Sequence, residues 1–212
     1  MASPIYPDYG STWRGATEEA PLPAPEEPKK KKNQIVILGR IVPNKSIDES
    51  IRIFAEGTKN NQSYNLVMLG GNTAETERYI HRLNKIIKNY KLEKRVKIIR
   101  DPSFKEIRNT LSESRLLIDS QRNVSLNMTS IEAMSSGCII LSQKNAGTYL
   151  EVLDQGRFGF GFSDIKQGSE KLKEILGDTN KASINKEKAI ERAKFFSPKK
   201  FKERLNKILE NG

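Results

Sequence analysis

Short apolar runs that alternate with amphipathic segments predict an α/β fold, a Rossmann-like doubly wound parallel sheet. The runs "QIVILG", "YNLVMLGG", "RLLIDS" and "CIILS" are apolar almost throughout, the pattern of strands covered on both faces. The stretches between them repeat their apolar residues with a helical period. Each run closes on a glycine or a polar residue, the punctuation of a strand entering a turn.

Taken in order, residues 34–39 are the first strand. A helix follows in "SIDESIRIFAEGTK", where Ile47, Ile51 and Phe54 share a face. Ser46 with Glu49 three positions on has the spacing of a capping box. Residues 64–71 are strand two, and "TAETERYIHRLNKIIKNYKL" is a long helix with Ile80, Leu83, Ile87 and Tyr90 inward. "RVKIIR" is strand three; "SFKEIRNTLSES" is a helix capped by Ser103 and Glu106. "RLLIDS", a short helix at 129–136 and "CIILS" follow, then a weaker strand at 157–162 and two or three helices from Lys166 to Glu210. Domain limits are expected at 33–196. Residues 1–32, with six of the nine prolines and the run "EEPKKKK", read as a linker or arm, and 197–212 as a C-terminal helix packing on the domain.

The chain has 212 residues, enough for one well-buried domain. A single histidine, His81, leaves little for a histidine-built metal site or a Ser-His-Asp triad. Cys138 stands alone in an apolar run, which fits a reducing compartment. No apolar run reaches the ~20 residues of a membrane span, and no basic-then-apolar leader is seen; a cytoplasmic protein is expected. Net charge is +11, with residues 1–28 acidic and the remainder strongly basic. That excess suits nucleic acid, an anionic membrane or a phosphorylated ligand, and equally a solvated lysine-rich surface.

In a doubly wound sheet, ligands sit beyond the carboxyl ends of the strands. After strand one, Gly39, Arg40 and Lys45 place a close backbone turn and two cations there, suited to a diphosphate or simply surface charge. After strand two, Gly70 opens a turn that is not a P-loop, and no GxGxxG follows strand one. Arg100, after strand three, could read a base or simply begin a helix-entry turn. After strand four, Asn127, Met128, Thr129 and Ser130 would present backbone N–H groups to the crevice. Glu132, a turn further in, could accept two hydrogen bonds from ribose hydroxyls, or merely favour the helix N-terminus by charge. Gly147 and Thr148 form another candidate anion turn.

In this order, "GRIVPNKSIDESIRIF", "LVMLGG", "RVKIIRDPSFKEIRNTLSESRLLIDS", "SIEAMSSGCIILSQKNAGTYLEVLDQGRFGFGF" and "FFSPKKFKERL" resemble the C-terminal, donor-binding domain of retaining GT-B glycosyltransferases of the group 1 type, family GT4. The resemblance runs from about Gln34 to the C-terminus. It implies that Arg40 and Lys45 neutralise the donor's diphosphate, that Glu132 is the second acid of the E-x7-E motif and holds the ribose, and that Met128 and Thr129 meet the phosphates by main chain. The first acid of that motif would fall at 124, where this sequence has Val124; Asn127 and Ser46 stand where glycines are common.

The implied activity is transfer of a sugar from a nucleotide-sugar donor, UDP- or GDP-linked, to an acceptor, with no metal and no other cofactor. The acceptor-binding N-terminal domain is expected as a partner in cis or trans, so the chain alone should bind donor and transfer little. Peripheral contact with the inner membrane surface is a further expectation. The alternative is a noncatalytic nucleotide-binding or regulatory module on the same fold. A nucleic-acid binder is disfavoured, since no RRM-type aromatic motif, zinc spacing or helix-turn-helix signal occurs.

Overall fold

The computed structural model describes residues 30–122 and 127–210. Six parallel strands form one sheet in the order β3-β2-β1-β4-β5-β6. They are β1 (Gln34–Leu38), β2 (Asn65–Gly70), β3 (Val96–Arg100), β4 (Leu116–Asp119), β5 (Ile139–Gln143) and β6 (Phe160–Phe162). The helices are α1 (Ile47–Gly57), α2 (Thr76–Asn89), α3 (Phe104–Glu113), α4 (Met128–Ser135), α5 (Ile165–Gly177), α6 (Thr179–Phe195) and α7 (Pro198–Glu210).

Strand order reverses between β1 and β4, so the loops after these two strands diverge and leave a crevice at their carboxyl ends. Two apolar layers flank the sheet. Ile51, Phe54, Leu83 and Leu172 pack α1, α2 and α5 on one face. Leu111, Ile131, Met134, Cys138 and Ala189 pack α3, α4 and α6 on the other. The central strands supply both layers by alternation: Ile35 and Ile37 point to the first, Val36 to the second.

The two capping boxes that the spacing predicts turn out differently. Ser103 has extended φ and ψ (−63°, 156°), accepts from Glu106 N–H and receives the Glu106 carboxylate on its own N–H at 2.9 Å, the reciprocal box expected. Ser46 does not cap. Pro43–Lys45 form a tight single turn that runs directly into α1 and forces Ser46 into the left-handed region (φ 49°), with no side-chain cap bond. A box needs an extended N-cap, and that geometry is denied here.

Lys31 and Lys32, just ahead of the expected limit at residue 33, are bonded to the domain. The Lys31 ammonium donates to the carbonyls of Leu111 (3.2 Å) and Ser136 (2.7 Å), at the C-terminal ends of α3 and α4. Lys32 N–H donates to Glu113 O at 2.8 Å. At the other end, Arg204 of α7 donates to Phe195 O (2.6 Å), while Phe201, Leu205, Ile208 and Leu209 are exposed. The apolar face of α7 is thus turned to solvent rather than packed on the domain. No helix among the described residues is long and apolar enough to cross a membrane.

Candidate functional site

The crevice over β1 and β4 is lined by Gly39, Arg40, Lys45, Asp119, Gln121, Asn127 and Thr129, among others. Each reaches it for a local reason. Gly39 leaves β1 at φ 145°, a conformation that L side chains rarely adopt, and this bends the chain so that Arg40 follows at the rim. Lys45 closes the tight turn at 43–45, with its N–H bonded to Val42 O at 3.1 Å. Its ammonium donates to Gln121 Oε1 across the crevice. Burial lowers the Lys45 pKa, the Asp119 carboxylate opposes that shift, and neighbouring Arg40 adds to it.

Beyond β4, Asn127 is the N-cap of α4. Its Oδ1 accepts from Thr129 N (3.3 Å) and Thr129 Oγ1 (2.8 Å). Ser130 N–H is taken by Asn127 O at 3.2 Å. The open row of N–H groups expected at 127–130 is therefore narrower: two of them serve the cap itself. The helix end keeps its positive pole, and Thr129 lines the crevice with its hydroxyl engaged by Asn127.

Asp119 was not legible as a site residue. It ends β4, is 8% exposed, and accepts four hydrogen bonds: from Gln121 N (3.2 Å), Asn127 Nδ2 (3.0 Å), Ser130 Oγ (3.4 Å) and Thr148 Oγ1 (2.9 Å). The one signal in the sequence was an acid closing an apolar strand at the point where strand order reverses. Arg122, also unanticipated, pairs with Glu49 of α1.

Glu132 lies one turn into α4, half-buried, and its carboxylate has no side-chain partner among the described residues. Burial alone raises its pKa from 4.5 to about 7. Of the other expected residues, Gly70 serves packing: a Cβ there would lie 2.2 Å from Gly39 O. Arg100 ends the edge strand β3 and is engaged by Glu77 and by Asn72 Oδ1 (2.9 Å), away from the crevice lining. Met128 is 47% exposed at the start of α4. Val124 lies outside the described residues.

The family model for glycosyl transferases group 1 matches residues 19–195. The chain belongs to that family. A curated relative of this glycosyltransferase domain, a sucrose synthase of Melioribacter roseus, is 25% identical over 162 residues, covering 70% of this chain and 20% of the relative. The chain thus spans about a fifth of that protein's length. Among solved structures, the C-terminal domain of a glycosyl transferase group 1 family protein (LpcC) from Francisella tularensis superposes with a TM-score of 0.72 at 18% identity. That likeness covers 82% of this chain and 94% of the other. Anabaena HepE in complex with UDP superposes with a TM-score of 0.76 at 18% identity, covering 86% of this chain and 50% of that one. The group 1 domain therefore has the fold of one GT-B half, with its crevice at the strand-order reversal.

Proposed function

We propose that this chain is the donor-binding half of a retaining group 1 glycosyltransferase. It would hold a nucleoside diphosphate sugar while an acceptor-binding domain, in cis or trans, completes the site. The observation that carries this is the convergence of Arg40, Lys45 and the α4 N-terminus on one crevice. A diphosphate there meets a guanidinium fork, a point charge and a helix pole, which together stabilise a leaving diphosphate electrostatically. Glu132, with no side-chain partner among the described residues, offers an acceptor of the kind two ribose hydroxyls require. UDP bound to Anabaena HepE makes UDP the first nucleotide to try. No metal enters the proposal, because the charge is met by side chains.

The measurement is calorimetric titration of the chain with UDP, GDP and ADP. Binding of one nucleotide, weakened roughly tenfold or more in Arg40→Ala and in Glu132→Ala, supports the reading. Failure of all three at millimolar concentration removes it. The noncatalytic alternative predicts the same binding but no transfer when an acceptor domain of the family is supplied. Peripheral membrane contact belongs to the same proposal. It is supported by α7, where exposed Phe201, Ile208 and Leu209 run beside Lys199, Lys200, Lys202 and Lys207. Failure to bind anionic vesicles at low salt removes that part alone.

A further inference from the structure

The Asp119 carboxylate is placed oddly for a site that receives an anion. It sits in the crevice lining beside Lys45, where an unscreened negative charge would repel a diphosphate. Its surroundings resolve the conflict. Four donors from three separate segments point at it: the backbone after β4, Asn127 and Ser130 at the head of α4, and Thr148 in the turn after β5. Oδ2 accepts three of these bonds and Oδ1 the fourth, and the residue is 8% exposed, so it acts on the site through the groups it gathers.

We propose that Asp119 is a positioning residue of the donor site: by drawing three segments onto one buried carboxylate, it holds the α4 N-terminus and the Lys45–Gln121 pair in the arrangement that receives a diphosphate. Asn127 illustrates the coupling. Its Nδ2 is fixed by Asp119 while its Oδ1 caps Thr129, so the orientation of one amide sets both the cap and the pole of the helix. Gln121 is tied in the same way, its N–H to Asp119 and its Oε1 to Lys45. This inference rests on the proposed donor function.

Thr148 gives the discriminating test. It is fully buried and stands outside the crevice lining, yet it donates to Asp119. Thr148→Val keeps the shape and removes only that bond. Titration of the full chain with the nucleotide the wild type binds should show a several-fold loss of affinity in Thr148→Val, and recovery in Thr148→Ser, which keeps the hydroxyl. Asp119→Asn, which turns one acceptor atom into a donor facing donors, should lose roughly tenfold or more. Amide exchange at Thr129 and Ser130 should quicken in both Asp119→Asn and Thr148→Val while thermal unfolding of Thr148→Val remains cooperative. If Thr148→Val lowers the melting temperature but binds nucleotide as the wild type does, Asp119 is structural only and the inference falls. A wild-type chain that binds no nucleotide overturns the donor function and this inference together. If Asp119→Asn does not fold, Thr148→Val against Thr148→Ser still decides.

Discussion

Gly70 and Gly39 meet backbone to backbone: a Cβ built on Gly70 would lie 2.2 Å from the Gly39 carbonyl oxygen and 2.6 Å from Ile41 Cγ1. The end of β2 is thereby pressed against the turn that leaves β1, and Gly39 N–H bonds Leu69 O at 3.0 Å across the same contact. Neither neighbour is a flexible side-chain tip that could yield. Gly70→Ala should therefore cost about 3 kcal/mol or more of stability and displace the turn carrying Arg40. Urea unfolding and nucleotide titration would register both effects; an unchanged midpoint would contradict the close approach.

Ser46 → Gly should act in the opposite direction. A non-glycine residue in the left-handed region costs ~1–2 kcal/mol, and Ser46 recovers nothing through a side-chain cap. Glycine relieves that strain, less the ~0.4–1 kcal/mol it adds in unfolded-chain entropy. The denaturation midpoint should rise by the equivalent of about 0.5–1 kcal/mol, and nucleotide affinity should stay the same.

Glu132 should make both stability and binding depend on pH. Its folded pKa of about 7 stands above the ordinary 4.5, so the folded state holds the proton more tightly than the unfolded chain. The stability this provides is complete below about 4.5 and is lost as pH rises through about 7. Glu132→Gln should then match the wild type near the acid end and exceed it by roughly 3 kcal/mol at pH 8. Ribose hydroxyls need the ionised carboxylate, so wild-type affinity should strengthen from pH 6 to pH 8 by more than that of Glu132→Gln, whose remaining slope reports the nucleotide phosphates. Parallel slopes in the two proteins would rule out a ribose contact.

Tyr79 ties α2 to the first turn of α1. Its hydroxyl donates to Asp48 Oδ1 at 3.0 Å and accepts from Asp48 N–H at 3.3 Å, and burial pushes its pKa well up. Tyr79→Phe should destabilise the domain by about 1–2 kcal/mol without touching the crevice. Equal nucleotide affinity with a lowered melting temperature is the expected pair of results.

The strands and helices were legible because their signals are local. Ile47, Ile51 and Phe54 announce one buried face by spacing alone, and all three are buried. Ser103 with Glu106 forms its box because the chain enters the N-cap extended, whereas the same spacing at Ser46 fails against the turn at Pro43–Lys45. Arg40, Lys45, Asn127 and Thr129 could be placed at one crevice from topology, since each follows β1 or β4. Asp119 could not be singled out. Its partners at 121, 127, 130 and 148 become neighbours only once β4 lies between β1 and β5. Gly70 looked like a ligand turn for the same reason: that its missing side chain makes room for another strand's exit is a fact of packing, not of sequence.

Lys31 holds the feet of α3 and α4 with one ammonium, over the buried Cys138. The head of α4 faces the crevice, and the chain that leads into the domain is fastened to its foot. One side chain thus ties the entering segment to the far end of the helix whose head lines the crevice. A shortened chain that begins after Lys31 would strip the Leu111 and Ser136 carbonyls of that shared donor while leaving every crevice residue in place.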